Sequence, residues 1–143
     1  MVQMSNMQAP RILILDDDDH YALLFSTYLK LGGIEGGEVE HATSAKGGVE
    51  RLREFAPDLV FLDNRIPPYT DFRPGLKALR DAGYEGPVVV QSACVADEIF
   101  DEAPRLGVAE VIDKFDMNDI RLIELLRKHT GFRLPLQDDR CAG

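Results

Sequence analysis

Along this chain, short apolar runs alternate with longer stretches whose apolar residues recur at helical spacing. RILIL (11–15), DLVFL (58–62) and PVVVQ (87–91) are continuous apolar runs of the kind that fully buried strands show. VAEVI (108–112) is a weaker run of the same type, and EVEHA (38–42) alternates as an edge strand does. Between the runs lie helical patterns. Residues 19–31 carry Leu23, Leu24, Tyr28 and Leu31 as a stripe. Ser44 is placed to cap a helix that presents Val49, Leu52 and Phe55. A third helix starts near Pro74, a favoured first-turn residue, and ends at Gly83. ADEIFDEAPRL (96–106) predicts a short acidic helix with Pro104 in or just past its last turn. Asp116 is the expected cap of a final helix bearing Ile120, Ile123 and Leu126, closed by Gly131.

Five strand–helix units in this order predict an α/β fold with right-handed crossovers and a five-stranded parallel sheet. At this length the expected arrangement is doubly wound, in the order 2-1-3-4-5, a flavodoxin-like (βα)5 domain. Residues 10–131 form that domain. Residues 1–9 are expected to be a flexible lead and residues 132–143 a loose tail.

Composition narrows the function. The 143 residues are 45% hydrophobic and 29% charged, an ordinary globular balance for one domain. The net charge of −9 argues against nucleic acid and anionic membrane surfaces as partners. No apolar run is long enough to span a bilayer. MVQMSNMQAP lacks the basic and apolar regions of a signal peptide. Cys94 and Cys141 make no framework or metal spacing, so a reducing cytoplasm is the expected compartment.

The chemistry sits just past the strands. In doubly wound sheets ligands bind beyond the carboxyl ends of the strands, where the winding reverses, here between strands 1 and 3. Strand 1 ends in RILILDDDDH, with Asp16 and Asp17 at the rim, and strand 3 ends in Asp63. Strand 4 leads into Ser92 and strand 5 into Lys114. Three converging carboxylates repel one another and suit a hard divalent cation, Mg²⁺ by their all-oxygen character. A hydroxyl and an ammonium facing the same crevice suit phosphoryl oxygens. The set describes a site for moving a phosphoryl group with Mg²⁺.

These residues resemble the receiver domain of two-component response regulators. The likeness runs from about Pro10 to Gly131. It rests on the acidic pair after strand 1, a lone Asp63 followed by Pro67, Ser92–Ala93 after strand 4, and Lys114 after strand 5. The resemblance implies that Asp63 is the phosphoacceptor, and that Asp16, Asp17, Asp63 and the backbone carbonyl of Arg65 hold Mg²⁺. It implies that Ser92 and Lys114 contact the phosphoryl oxygens. It further implies a signalling switch rather than an enzyme, phosphorylated by a histidine kinase or a histidine phosphotransfer protein. The downstream protein is expected on the face of helix 4, strand 5 and helix 5. Only a short tail follows Lys128, so a stand-alone receiver without an output domain is expected.

This chain departs from the family pattern in four places. Phe115 stands where proline usually follows the lysine, and Val111 where an aromatic residue is frequent. The loop RIPPYTDFRPGL is longer than the usual form, and Pro104 falls where the fourth helix normally continues. Two other readings fit part of the pattern. A haloacid-dehalogenase-like phosphatase would use Asp16 as nucleophile and Asp18 as acid, but has His20 where Thr or Val is usual and no role for Asp63. A pseudo-receiver would bind partners without ever taking phosphate. The histidines His20, His41 and His129 are expected at the surface, and Asp18 and Asp19 in the first turn of helix 1.

Overall fold

The computed structural model describes residues 9–96 and 98–133. The lead up to residue 8, Asp97, and the tail from residue 134, with Cys141, lie outside the described residues. In chain order the elements are β1 (Arg11–Leu15), α1 (His20–Leu31), β2 (Glu38–Ala42), α2 (Ala45–Leu52), β3 (Leu59–Asp63) and α3 (Phe72–Asp81). There follow β4 (Val88–Ser92), a 3-10 segment (Glu98–Glu102), β5 (Glu110–Asp113), a 3-10 turn (Lys114–Asp116) and α4 (Asp119–Thr130). The strands pair in parallel in the order β2-β1-β3-β4-β5, as the alternation of runs and helices predicts.

Strand alternation divides the core into two layers. Leu13, Leu15, Val60, Leu62, Val88 and Val90 point to the side covered by α2 and α3, where Phe72, Leu76, Leu79 and Phe100 meet them. Ile12, Ile14, Leu59, Phe61, Val89 and Ile112 point to the other side, against Phe25 and Leu29 of α1 and Leu122, Leu125 and Leu126 of α4. Both faces of β3 and β4 are thus dry, which is why those strands read as unbroken apolar runs.

Several local expectations hold. Ser44 caps α2 by accepting from Gly47 N–H at 3.0 Å. Gly131 ends α4 with φ of 77°. Gly48 of α2 has a packing reason, since a Cβ there would lie 2.5 Å from Leu15 Cδ2.

Other expectations are corrected. Of the stripe expected to bury α1, Leu23, Leu24 and Leu31 face water, Leu23 70% and Leu31 67% exposed, while Tyr28 packs half-buried against the second core layer. The buried side is Phe25 and Leu29, with Phe25 edge-on to Phe61 at 4.8 Å. The larger aromatic surface takes the core position. Ile120, in the first turn of α4, is likewise exposed, whereas Ile123 and Leu126 are buried. Asn118, not Asp116, caps α4, accepting from Arg121 N–H at 2.8 Å. The fourth α-helix is replaced by the 3-10 segment and turns that follow it. Pro104 cannot donate to a helical ladder, and Glu102 so close to a helix C-terminus would oppose its dipole. Phe132, the first aromatic of the expected tail, packs into the second core layer.

Candidate functional site

Continuing the alternation past the strand ends sets the site. Asp63 and Gln91 lie two residues beyond Phe61 and Val89, so both project to the α1–α4 side of the sheet. Asp16 and Lys114 extend the same rows beyond Ile14 and Ile112. Ser92 follows Val90 and leaves the other side. The loops after β1, β3, β4 and β5 therefore converge on one rim.

At that rim Asp16, Asp17 and Asp63 bring a carboxylate oxygen each within 4.8 Å of one another. Asp16 is fully buried, Asp63 nearly so, and Asp17 exposed. The Lys114 ammonium lies 2.7 Å from Asp16 Oδ2 and 3.3 Å from Asp63 Oδ1, and 5.0 Å from the centre of the Tyr21 ring. Burial pushes the Asp16 carboxyl pKa up, and the hydrogen bonds from Lys114 and from Asp18 N–H only partly offset it. Burial opposes the Lys114 charge too, but the bond to Asp16 and the charge of Asp63 outweigh it and hold its pKa raised. The lysine thus acts as the resident cation of an acidic pocket.

Asp17, Asp63, Asn64, Arg65, Ser92, Ala93, Cys94 and Lys114 line an open cleft of about 410 Å³ above this pocket. Asp63 Oδ1 receives Arg65 N–H at a long 3.4 Å. The Ser92 hydroxyl is turned into its own loop, donating to Cys94 O at 2.9 Å and accepting from Cys94 N–H at 3.1 Å. All the site residues expected from sequence therefore meet, with Asp16 beneath the cleft rather than lining it.

The geometry separates the remaining aspartates from this pocket. Asp18 turns to His20, accepting from its N–H at 3.0 Å and pairing with Nδ1 at 2.8 Å. Asp19 holds the N-cap position of α1 but makes no side-chain cap bond. Asp18, the acid of the phosphatase alternative, thus points out of the cleft.

Four residues escaped the sequence reading. His41 is half-buried rather than a surface residue, and its Nε2 lies 2.7 Å from the Asp16 carbonyl, pinning the loop that carries the carboxylates. Asn64 Oδ1 accepts from Phe72 N–H at 3.0 Å, tying the loop after β3 to α3. Tyr21 supplies its ring to Lys114. Gln91 sits fully buried beside Asp63. His129, also expected at the surface, pairs with Glu110 at the start of β5 at 2.7 Å rather than standing free.

An open parallel sheet in this order, with acids, an ammonium and a hydroxyl gathered at its switch point, is a flavodoxin-like α/β fold. The chain belongs to the response regulator receiver domain family, whose model matches residues 12–127. It is 32% identical over 114 residues to the regulatory protein AtoC of Escherichia coli, covering 79% of this chain but only 24% of AtoC. It is 28% identical over 120 residues to the chemotaxis protein CheY of Bacillus subtilis, covering 84% of this chain and 97% of CheY. Among solved structures, CheY4 of Vibrio cholerae matches with a TM-score of 0.68 at 20% identity, over 85% of this chain and 98% of that one. The receiver domain of the sensor histidine kinase PA1611 from Pseudomonas aeruginosa, solved with magnesium in its active-site cleft, matches with a TM-score of 0.69 at 17% identity, over 86% and 98%. No helix among the described residues is long and apolar enough to cross a membrane.

Proposed function

We propose that this chain is a phosphoacceptor receiver, in which Mg²⁺-dependent phosphorylation of Asp63 switches protein–protein interactions. The observation that carries the reading is the position of Asp63, whose carboxylate lines the cleft beside those of Asp16 and Asp17 and lies 3.3 Å from the Lys114 ammonium.

The donor set fits a magnesium ion: carboxylates of mixed burial around a buried Asp16 that already needs a cation. Asp16, Asp17, Asp63 and the Arg65 carbonyl would hold it, and it would supply positive charge where phosphoryl oxygens approach. An Asp63 oxygen attacks phosphorus, and the bond from phosphorus to the donor nitrogen or acyl oxygen breaks. The donor is a histidine kinase, a histidine phosphotransfer protein or a small acyl phosphate. Lys114 turns from Asp16 toward the new phosphoryl oxygens, and Ser92 exchanges Cys94 for one of them. The downstream partner reads the face built from the 3-10 segment, β5 and α4.

Mass spectrometry after treatment with acetyl phosphate and Mg²⁺ tests the reading. One added phosphoryl group is expected, lost in Asp63→Asn and in EDTA. Undiminished labelling of Asp63→Asn, or labelling on Asp16, would reject it.

A further inference from the structure

Gln91 is fully buried, and among the described residues neither its side-chain oxygen nor its nitrogen has a hydrogen-bond partner. Such an orphan is costly, and native proteins retain few of them without a reason. Its place is specific. Gln91 stands opposite Asp63 in the β3–β4 register, on the same side of the sheet, and its backbone carbonyl accepts from Asn64 N–H at 2.8 Å. Parallel neighbours are about 4.8 Å apart, a span that a glutamine side chain bridges. The three preceding positions of β4 are valine, so an apolar side chain is readily accommodated on this strand without the penalty.

We propose that Gln91 is a positioning residue for the acyl phosphate, resting on the assignment of Asp63 as phosphoacceptor. When the rim closes on the phosphoryl group, the Gln91 amide N–H donates to the Asp63 oxygen that does not carry phosphorus. In hydrolysis a water oxygen attacks phosphorus, the P–O bond to Asp63 breaks with its electron pair returning to the carboxylate, and the water's protons leave on the released inorganic phosphate. The donor strengthens its bond to that oxygen as negative charge develops there, so it favours dephosphorylation. Gln91 therefore shortens the phosphate lifetime, and its unpartnered resting state is what the closed state relieves.

The test pairs kinetics with a spectroscopic signature. Gln91→Met keeps volume and removes the donor, so the phosphate half-life should lengthen about threefold or more. The chain has four glutamines, Gln3, Gln8, Gln91 and Gln137, so ¹⁵N labelling of glutamine resolves the side-chain amide missing from Gln91→Met. That amide should move downfield when the wild type binds beryllofluoride, a phosphoryl mimic. A labelled wild type whose Gln91 amide stays in place, or a variant with unchanged half-life and only a higher melting temperature, overturns this role alone. A wild type that takes neither phosphate nor beryllofluoride overturns it together with the phosphoacceptor reading.

Discussion

Lys114 lies closer to the buried Asp16, at 2.7 Å, than to Asp63 at the end of β3, at 3.3 Å. Asp16 is wholly excluded from water, and among the described residues this ammonium is the cation paired with it. Removing it leaves a buried carboxylate unpaired. Lys114→Met should lower metal-free stability by about 3 kcal/mol, and millimolar Mg²⁺ should restore much of the loss by occupying the same acidic pocket. Urea unfolding with and without Mg²⁺ checks both parts. Equal stability of variant and wild type without metal would show that the pair carries no such weight.

Asp17 offers the contrasting case. It is exposed and belongs to the same carboxylate group. Asp17→Ala should leave metal-free stability within about 0.5 kcal/mol, as surface changes usually do. Mg²⁺ affinity should fall about tenfold or more, since a ligand carboxylate is lost. Calorimetric titration measures the change, and retention of wild-type affinity would remove Asp17 from the metal site.

A second charged cluster governs acid stability. Glu110 on β5 receives Arg121 at 2.9 Å, Lys128 at 3.0 Å and His129 at 2.7 Å. Burial pushes its carboxyl pKa up, but these three partners outweigh that and bring it from 4.5 down to about 2. The folded pKa lies below the unfolded one, so the contribution is present above about pH 4.5 and is lost as pH falls toward 2. It amounts to at most about 3 kcal/mol. Glu110→Gln should remove that part of the pH dependence while leaving the rest of the profile in place. Unfolding curves across this range, wild type against variant, decide it, and parallel pH profiles would reject it.

Much of this architecture was legible in sequence because β1, β3 and β4 are buried on both faces, and such strands cannot be written without continuous apolar runs. The rim followed, since each chemical residue stands one or two positions past a run. What escaped depends on choices that period alone does not make. Both faces of α1 carry apolar residues, and only the tertiary match of Phe25 to Phe61 selects the buried one. Acidic residues at 98–102 read as a solvated helix, yet Phe100 and Ala103 anchor a 3-10 segment that Pro104 stops. Asn64, His41 and Gln91 carry no motif; their roles arise from neighbours distant in sequence, the 25-residue reach from His41 to Asp16 among them.

The route by which a signal leaves the site is the last prediction. Asn64 directly follows Asp63, and its side chain holds Phe72 N–H at 3.0 Å at the start of α3. The Phe72 ring stacks on Phe100 of the 3-10 segment, with centroids 5.9 Å apart and planes 19° apart. This chain of contacts joins the long loop after β3 to the segment that follows Ser92, so the two move together. Val111 carries no ring to swing behind Ser92, and it packs against the layer that holds both phenylalanines. Closure of Ser92 and Lys114 on a phosphoryl group should therefore perturb residues 66–75 and 98–104 as one unit, within a switch of a few kcal/mol. Asn64→Ala removes a buried acceptor and should cost about 1–2 kcal/mol of stability. In that variant beryllofluoride should shift the amides of Ser92 and its immediate neighbours and leave 98–104 near their resting positions. Phe100→Leu, which keeps an apolar anchor without the stack, should weaken the response of 66–75 in the same way. Amide chemical shifts with and without beryllofluoride report all three proteins. Full propagation in both variants would show that the signal travels by the Ser92 loop alone.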